Sequence, residues 1–271
     1  MELWTFGGDA RMLGAMDAAR RAGWQTRHIC REEDAGKTAD AVILPWPHSF
    51  AEGKLMGTEL EKARVLALLP PQAVVLHGSG VMAQELGEGR TAFDPAQDEV
   101  FLRVNAKLTA EGAIARAMQR TGRALLGSTC VVTGMGRIGQ ALTARLAALE
   151  AFVIVCARSE AQMQRAHTMG AHPMPLERIA QACAQADVVF NTVPARILSE
   201  AALERMDSQA LLIELASPPY GADPEAVKRL NVRMAVESGL PGRYAPLDAG
   251  AALFEALQRR CGADEGGRED G

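Results

Sequence analysis

The sequence lacks the features that mark nucleic-acid-binding, secreted and membrane-spanning proteins. Asp and Glu outnumber Lys and Arg by 33 to 29 and no dense basic run occurs, so we expect no nucleic-acid partner. The five cysteines are scattered and never spaced as CxxC, which is typical of reduced thiols in the cytoplasm. No stretch of about 18 apolar residues occurs, and the start of the chain does not resemble an export signal. We therefore expect a cytoplasmic protein with no membrane partner.

The histidines and cysteines also show no metal-site spacing, so no metal is expected. The chain has 271 residues, of which 48% are hydrophobic, and this is enough to build two cores of ordinary size. A chain of this length fits either one large α/β domain or two of ordinary size, and we expect two domains.

The first part of the chain alternates short apolar runs with helical periodicity. We predict strands over residues 3–6, 25–28, 41–44 and 73–76, and helices over 11–21 and 58–69. Such alternation is typical of a doubly wound parallel sheet. Residues 1–105 are therefore expected to form a flavodoxin-like domain that binds the substrate.

A bridging helix is predicted over residues 106–122, with Thr109 as its N-cap, Glu111 in its first turn and Gly122 at its end. Residues 123–245 then alternate strands and helices more sharply, which predicts a second doubly wound domain of the Rossmann dinucleotide-binding type. A helix over 246–261 is expected to pack back towards the N-terminal domain. The polar, Gly-rich residues 262–271 are expected to form a disordered tail.

The strongest motif is G-x-G-x-x-G between an apolar strand and an amphipathic helix. The first glycine permits the tight turn, the second admits the pyrophosphate of a dinucleotide, and the third lets the helix pack closely on the strand. Amide groups at the helix N-terminus bind phosphate. The predicted contacts are Gly134, Met135, Gly136, Arg137, Ile138 and Gly139.

The second strand of this domain ends at Arg158 and Ser159, where NAD-specific proteins usually carry an acid. Because a guanidinium pairs well with a 2′-phosphate, we expect NADP as the preferred cofactor, with NAD also possible. Alternatively, Arg158 is solvated or stacks on adenine.

The strand over 188–191 ends on the same sheet edge as the glycine motif. We therefore expect its last residue and the three that follow it to line the nicotinamide-ribose region. They are Asn191, Thr192, Val193 and Pro194. Ser217 is delivered to this edge by the next strand. Ordinary loop residues are the alternative interpretation.

Seven short motifs, in order along the chain, resemble the family of the A subunit of dipicolinate synthase. They are GGDAR (7–11), TAEG (109–112), GMGRIG (134–139), CARS (156–159), NTVP (191–194), ELASPP (214–219) and GLPGRYAP (239–246). The resemblance implies oxidation of a dihydrodipicolinate-level intermediate to dipicolinate for endospore formation, in the mother cell of a sporulating bacterium. It also implies a partner, the flavoprotein-like B subunit of dipicolinate synthase, so a homo-oligomer or hetero-oligomer is expected.

A small dicarboxylate substrate requires Arg, hydroxyl or backbone N–H groups. The substrate-binding candidates are Gly8, Arg11, Ser79, Thr109, Ser217 and Arg243. The catalytic candidates are His77, as a proton acceptor, and Glu111. For Arg11, His77 and Glu111, structural roles at element ends are the alternatives.

Two other functions compete with this interpretation. The layout is similar to that of D-2-hydroxyacid dehydrogenases, but ASPPYGAD after residue 214 lacks the arginine that holds the substrate carboxylate in that family. A cofactor-binding protein that is active only with its partner is the second alternative.

Overall fold

The computed structural model describes residues 1–87 and 90–266, which form two compact units. The first unit comprises Met1–Asn105 with the segment that starts at Pro241, and the second comprises Ala106–Leu240. No helix among the described residues is both long and apolar enough to cross a membrane.

The first unit is built on a five-stranded parallel sheet. Its strands and the hairpin inserted between them are β1 (Glu2–Phe6), β2 (Gln25–Ile29), β3 (Ala41–Ile43), β4 (Phe50–Ala51), β5 (Lys54–Leu55), β6 (Val74–Leu76) and β7 (Ala92–Phe93). The spatial order is β2-β1-β3-β6-β7, and β4 and β5 form a separate antiparallel pair. The sheet is sandwiched between helices, which include α1 (Arg11–Arg21) and α2 (Lys62–Leu68). The strand order reverses between β1 and β3, since β2 lies on one side of β1 whereas β3 and β6 lie on the other. Ligands of such sheets bind at this point of reversal.

The long helix α3 (Glu99–Thr121) runs from the first unit into the second. It begins earlier than residue 106, because the Asp98 carboxylate caps it by accepting hydrogen bonds from the amides of Val100 and Phe101. The prediction of Thr109 as the N-cap is therefore wrong, since Thr109 lies in the middle of the helix and is buried.

The second unit contains six parallel strands in the order β10-β9-β8-β11-β12-β13. They are β8 (Thr129–Thr133), β9 (Phe152–Ala157), β10 (His172–Pro175), β11 (Val188–Asn191), β12 (Leu211–Glu214) and β13 (Arg233–Val236). The connecting helices are α4 (Arg137–Ala148), α5 (Glu160–Thr168), α6 (Ile179–Cys183), α7 (Glu200–Glu204) and α8 (Pro224–Arg229). The predicted fold class is confirmed, because both sheets are parallel and this one has the Rossmann strand order.

The chain returns to the first unit through α9 (Leu240–Tyr244) and α10 (Pro246–Gly266). Helix α10 lies against α1, and the contact is so close that a side chain at Gly14 or Gly250 would overlap the opposing backbone. Residues 262–266 continue this helix, so the predicted disordered tail does not begin at 262. The remaining tail residues, 267–271, lie outside the described part of the chain.

Candidate functional site

The glycine motif forms the turn between β8 and α4. Gly134 has φ 81°, a left-handed conformation that glycine adopts without strain, and its N–H donates to the carbonyl of Cys156 at 2.8 Å. A side chain on Gly139 would overlap the carbonyl oxygen of Gly134. The first and third glycines are therefore required by the turn itself.

Gly136 differs from these two glycines. Its φ of −72° and ψ of −170° are open to any residue, and no heavy atom lies within 4 Å of the position that a Cβ would take. The backbone fold does not require glycine there. A ligand that approaches the backbone at the start of α4 does require it, as the pyrophosphate of a dinucleotide would.

A cavity of about 330 Å³ lies beside this turn, at the carboxyl ends of β8, β9 and β11. Predicted residues that line it are Gly134, Met135, Gly136, Arg158, Ser159, Thr192, Val193 and Pro194. Lining residues that the sequence did not predict are Cys156, Ala157, Gln162 and Leu176. Cys156 and Ala157 end β9 and Gln162 lies in the first turn of α5, which the sequence could have indicated, whereas Leu176 directly follows β10. The structure therefore brings three predicted segments to one cavity.

Arg158 and Ser159 lie on the β9 side of the cavity. Ser159 Oγ accepts a hydrogen bond from the Gln162 amide at 3.3 Å and caps α5. Arg158 is exposed, and across residues 1–87 and 90–266 it forms no ion pair. Its guanidinium is thus a suitable group for an additional phosphate.

Other residues predicted to contact the cofactor do not line the cavity. Asn191 is fully buried and hydrogen-bonds to Thr133, Val193 and Glu214. Its side chain holds the loop in place, so the prediction of a direct contact is corrected to a supporting role. Arg137, Ile138 and Gly139 form the first turn of α4.

Two substrate candidates in the first unit have other partners. The Gly8 amide donates to the Met56 carbonyl at 2.6 Å, so it is not a free anion-binding donor. Arg11 Nε and Nη2 donate to the Asp9 carboxylate at 2.9 and 2.8 Å. Burial raises the pKa of Asp9, but hydrogen bonds and charge from Arg11 outweigh burial and leave the pKa below its ordinary value. Arg11 therefore neutralises Asp9.

Ser79 has a partner that the sequence did not suggest. His48, in the loop after β3, places Nδ1 2.6 Å from Ser79 Oγ, and both residues are exposed. The two loops are fixed beneath this pair, because buried Ser49 donates to the Pro45 carbonyl and accepts from the Gly78 amide. No motif signals His48, since its role depends on the pairing of the two loops.

His77 directs Nδ1 at the carbonyl of Gly78, 3.0 Å away. Glu111 Oε1 accepts from Arg145 Nη2 at 2.7 Å on the surface of the second unit, so its nearest partner is a cation of α4. Ser217 is exposed in the loop after β12. The Arg243 guanidinium lies 5.8 Å from the ring centre of Tyr244.

Comparison with known proteins places the chain in a family. Residues 101–221 match the NAD-binding domain of the D-isomer-specific 2-hydroxyacid dehydrogenases. Over 232 residues the chain is 35% identical to the A subunit of dipicolinate synthase from Bacillus subtilis strain 168, and this covers 81% of the chain and 77% of that protein. The chain belongs to the family of dipicolinate synthase A subunits. The resemblance predicted from the seven motifs is thereby confirmed.

Crystal structures of the same subunit from two Bacillus species agree with this assignment. The Bacillus halodurans structure matches with a TM-score of 0.81 and 27% identity over 96% of this chain and 97% of that one. The Bacillus subtilis structure matches with a TM-score of 0.79 and 26% identity over 97% of both chains. The chain is accordingly an oxidoreductase-type subunit with a nicotinamide-dinucleotide-binding domain.

Proposed function

We propose that this chain oxidises a dihydrodipicolinate-level intermediate to dipicolinate, with NADP as the preferred cofactor. The observation that carries the proposal is Gly136, which the backbone does not require and a bound pyrophosphate does. Membership of the family of dipicolinate synthase A subunits supports the choice of substrate.

The chemistry suits a hydride-transfer site. A dihydropyridine ring that loses a hydride and a proton becomes an aromatic pyridine, and aromaticity drives the reaction. When bound, the nicotinamide ring supplies the hydride acceptor. The chain has to hold the dinucleotide, orient two carboxylates and take up a proton.

Preference for NADP is proposed from Arg158. A guanidinium binds a phosphate monoester through two parallel hydrogen bonds, which the 2′-hydroxyl of NAD cannot match. Arg158 and Ser159 line the same cavity as the glycine turn, at the end of β9 where the adenosine ribose of a dinucleotide binds.

The carboxylate-binding residues are proposed at the carboxyl edge of the first sheet. Ser79 and His48 present a hydroxyl and an imidazole there on two interlocked loops. Gly8 and Arg11 support this edge through Met56 and Asp9. The roles of Thr109, Ser217 and Arg243 in substrate binding, and those of His77 and Glu111 in catalysis, stay predictions.

A partner protein is also proposed. The Bacillus relatives are A subunits of dipicolinate synthase, which supports assembly with a B subunit. Turnover by the purified chain, with and without that partner, distinguishes a dehydrogenase that works alone from one that depends on its partner.

The decisive assay supplies NADP⁺ and dihydrodipicolinate generated in situ, and follows dinucleotide reduction together with pyridine absorbance. Both signals should rise in equal amounts. Reduction with D-lactate instead would favour a hydroxyacid dehydrogenase, which the match over 101–221 keeps as the second candidate. Dinucleotide binding without turnover, even with the B subunit present, would contradict the proposal.

A further inference from the structure

The last residues of three neighbouring strands meet in register on the second sheet. Thr133 ends β8, Asn191 ends β11 and Glu214 ends β12, and Asn191 pairs with the other two across the sheet. All three side chains are completely buried. Burial of a carboxylate costs folding free energy unless hydrogen bonds satisfy both of its oxygens.

A continuous chain of hydrogen bonds links the three side chains. Thr133 Oγ1 donates to Asn191 Oδ1 at 2.5 Å, and Asn191 Nδ2 donates to Glu214 Oε1 at 2.6 Å. The orientation of the Asn191 amide is fixed, because the same nitrogen donates to the Val193 carbonyl at 3.1 Å. We refer to Thr133, Asn191 and Glu214 as the strand-end relay.

Both carboxylate oxygens of Glu214 accept hydrogen bonds. Its Oε1 also accepts from the Ala216 amide at 3.0 Å, and its Oε2 accepts from the Gly221 amide at 2.8 Å. Every partner is a donor, which suits a carboxylate and not a side-chain amide. Burial leaves the pKa of Glu214 above its ordinary value, although the hydrogen bonds from Asn191, Gly221 and Ala216 and the charge of Arg196 lower it in part.

The relay acts on the loop formed by residues 191–194. Asn191 Oδ1 accepts from the Val193 amide at 3.3 Å, so one side chain holds both backbone groups of Val193. Val193 Cγ2 in turn lies 2.7 Å from the position that a Cβ on Gly134 would take. A line of contacts therefore runs from Glu214 through Asn191 and Val193 to the first glycine of the motif.

The loop after β12 also contacts Asn191 and Glu214. Gly221 packs so tightly on Asn191 that a side chain there would overlap the amide group. The preceding residue, Tyr220, has φ 62°, a left-handed conformation that non-glycine residues rarely adopt. The carboxylate of Glu214 thus holds two loops, of which the 191–194 loop lines the cavity.

We propose that Glu214 is a positioning residue for the dinucleotide: acting through Asn191, it holds residues 192–194 against Gly134 and so forms the surface for the nicotinamide half. This inference rests on the proposed dinucleotide site. Arg158 and Ser159 line the same cavity, but they follow β9 and are not hydrogen-bonded to the relay, so we expect contacts to the adenosine half to be independent of Glu214.

The test is Glu214→Gln, which keeps the size of the side chain but turns an NH₂ group towards existing donors. Affinity for NADP⁺, NAD⁺ and 2′,5′-ADP is measured by calorimetry. Both dinucleotides should bind about tenfold more weakly, as expected when a buried donor loses its acceptor, while 2′,5′-ADP stays within about twofold.

Glu237→Gln is the matched control. Glu237 is also a buried carboxylate, it directly follows β13, and its side chain is ion-paired with Arg116 of α3. This variant should lose stability with all three affinities preserved. If Glu214→Gln does not fold, Thr133→Val tests the relay from its other end, because it removes the hydroxyl that donates to Asn191 Oδ1 and accepts from the Thr192 amide.

A folded Glu214→Gln or Thr133→Val protein with unchanged dinucleotide affinity would overturn the inference. Equal weakening of 2′,5′-ADP would do so too, because it would indicate damage to the whole domain. If the wild-type protein bound neither NADP⁺ nor NAD⁺, the proposed function itself would fail, and this is distinguishable from failure of the relay alone.

Discussion

The carbonyl oxygen of Gly134 occupies the space that a side chain on Gly139 would need. Helix α4 can therefore approach β8 this closely only with glycine at position 139. We predict that Gly139→Ala lowers the free energy of unfolding by about 1–3 kcal/mol, the usual cost of overpacking. Urea denaturation followed by circular dichroism measures this change.

A control for that variant is Gly262→Ala. Nothing lies within 4 Å of a Cβ at Gly262, which is in α10. Alanine should be neutral or stabilise this helix by about 0.5–1 kcal/mol. Equal stability of the Gly139→Ala protein and the wild type would show that the turn is looser than described.

The preference for NADP should depend on Arg158. Removal of its guanidinium in Arg158→Ala takes away the ion pair with a 2′-phosphate but leaves the turn intact, so the KM for NADP⁺ should rise by about tenfold or more. The KM for NAD⁺ should change little. Arg165→Ala, at an exposed position on α5, is the control. An unchanged ratio of the two KM values would show that Arg158 does not select the cofactor.

Dicarboxylate binding should depend on the His48 and Ser79 pair. Loss of the hydroxyl in Ser79→Ala, or of the imidazole in His48→Gln, should raise the KM for the dicarboxylate several-fold without changing dinucleotide affinity. His28→Gln is a suitable control, because this histidine contacts Thr5 and Cys30 at the end of β2. If both variants kept the wild-type KM, the carboxylate site would have to lie elsewhere.

The elements that contain the cofactor site were predictable because their signals are local. Strand β11 has the bounds predicted for it, 188–191, since a short apolar run between turn residues identifies a parallel strand buried on both faces. The glycine turn also follows from its spacing and its position between a strand and a helix.

The start of α3 was not predictable in the same way. Residues 99–104 contain Val100, Phe101 and Val104, which are equally common in strands. Helix is selected there by the cap from Asp98 and by burial of Phe101 in the core that includes α10. The burial of Phe101 depends on tertiary contacts that propensity does not contain, whereas the cap from Asp98 is a local signal that the prediction missed.

The roles of Glu214 and His48 depend on register between distant segments. Glu214 ends an apolar run, but its function becomes visible only when Asn191 is seen opposite it. Asn191 itself was predicted to touch the cofactor because it lies on the correct sheet edge. The sequence identifies the edge, whereas the structure shows which side chains point into the cavity and which are buried behind it.

Stability should fall at alkaline pH because of the buried thiols. Burial raises the pKa of Cys130 and Cys156 to about 12 and that of Cys183 to about 11. An unfolded thiol titrates near about pH 8.5. The folded state therefore holds these protons more tightly, and the resulting stabilisation is complete below that pH and is lost as the pH rises towards 11 to 12.

Urea denaturation at increasing pH measures this loss. The Cys130→Ala/Cys156→Ala/Cys183→Ala protein is the control, because Lys and Tyr residues also titrate in this range. The slope of unfolding free energy against pH should be smaller in the triple variant. Identical slopes would show that the thiols are not linked to folding.

Calorimetric titration of NADP⁺ into Gly136→Ala is the sharpest test of a pyrophosphate bound at the glycine turn. Beyond the adjoining residues of the chain, no heavy atom lies within 4 Å of the added methyl group, and the backbone conformation accepts alanine, so thermal stability should equal that of the wild type. Affinity for NADP⁺ should fall by at least about tenfold, or 1.4 kcal/mol, because the methyl group takes the space of the pyrophosphate. A stable Gly136→Ala protein that binds NADP⁺ as tightly as the wild type would show that no pyrophosphate binds against the backbone of this turn.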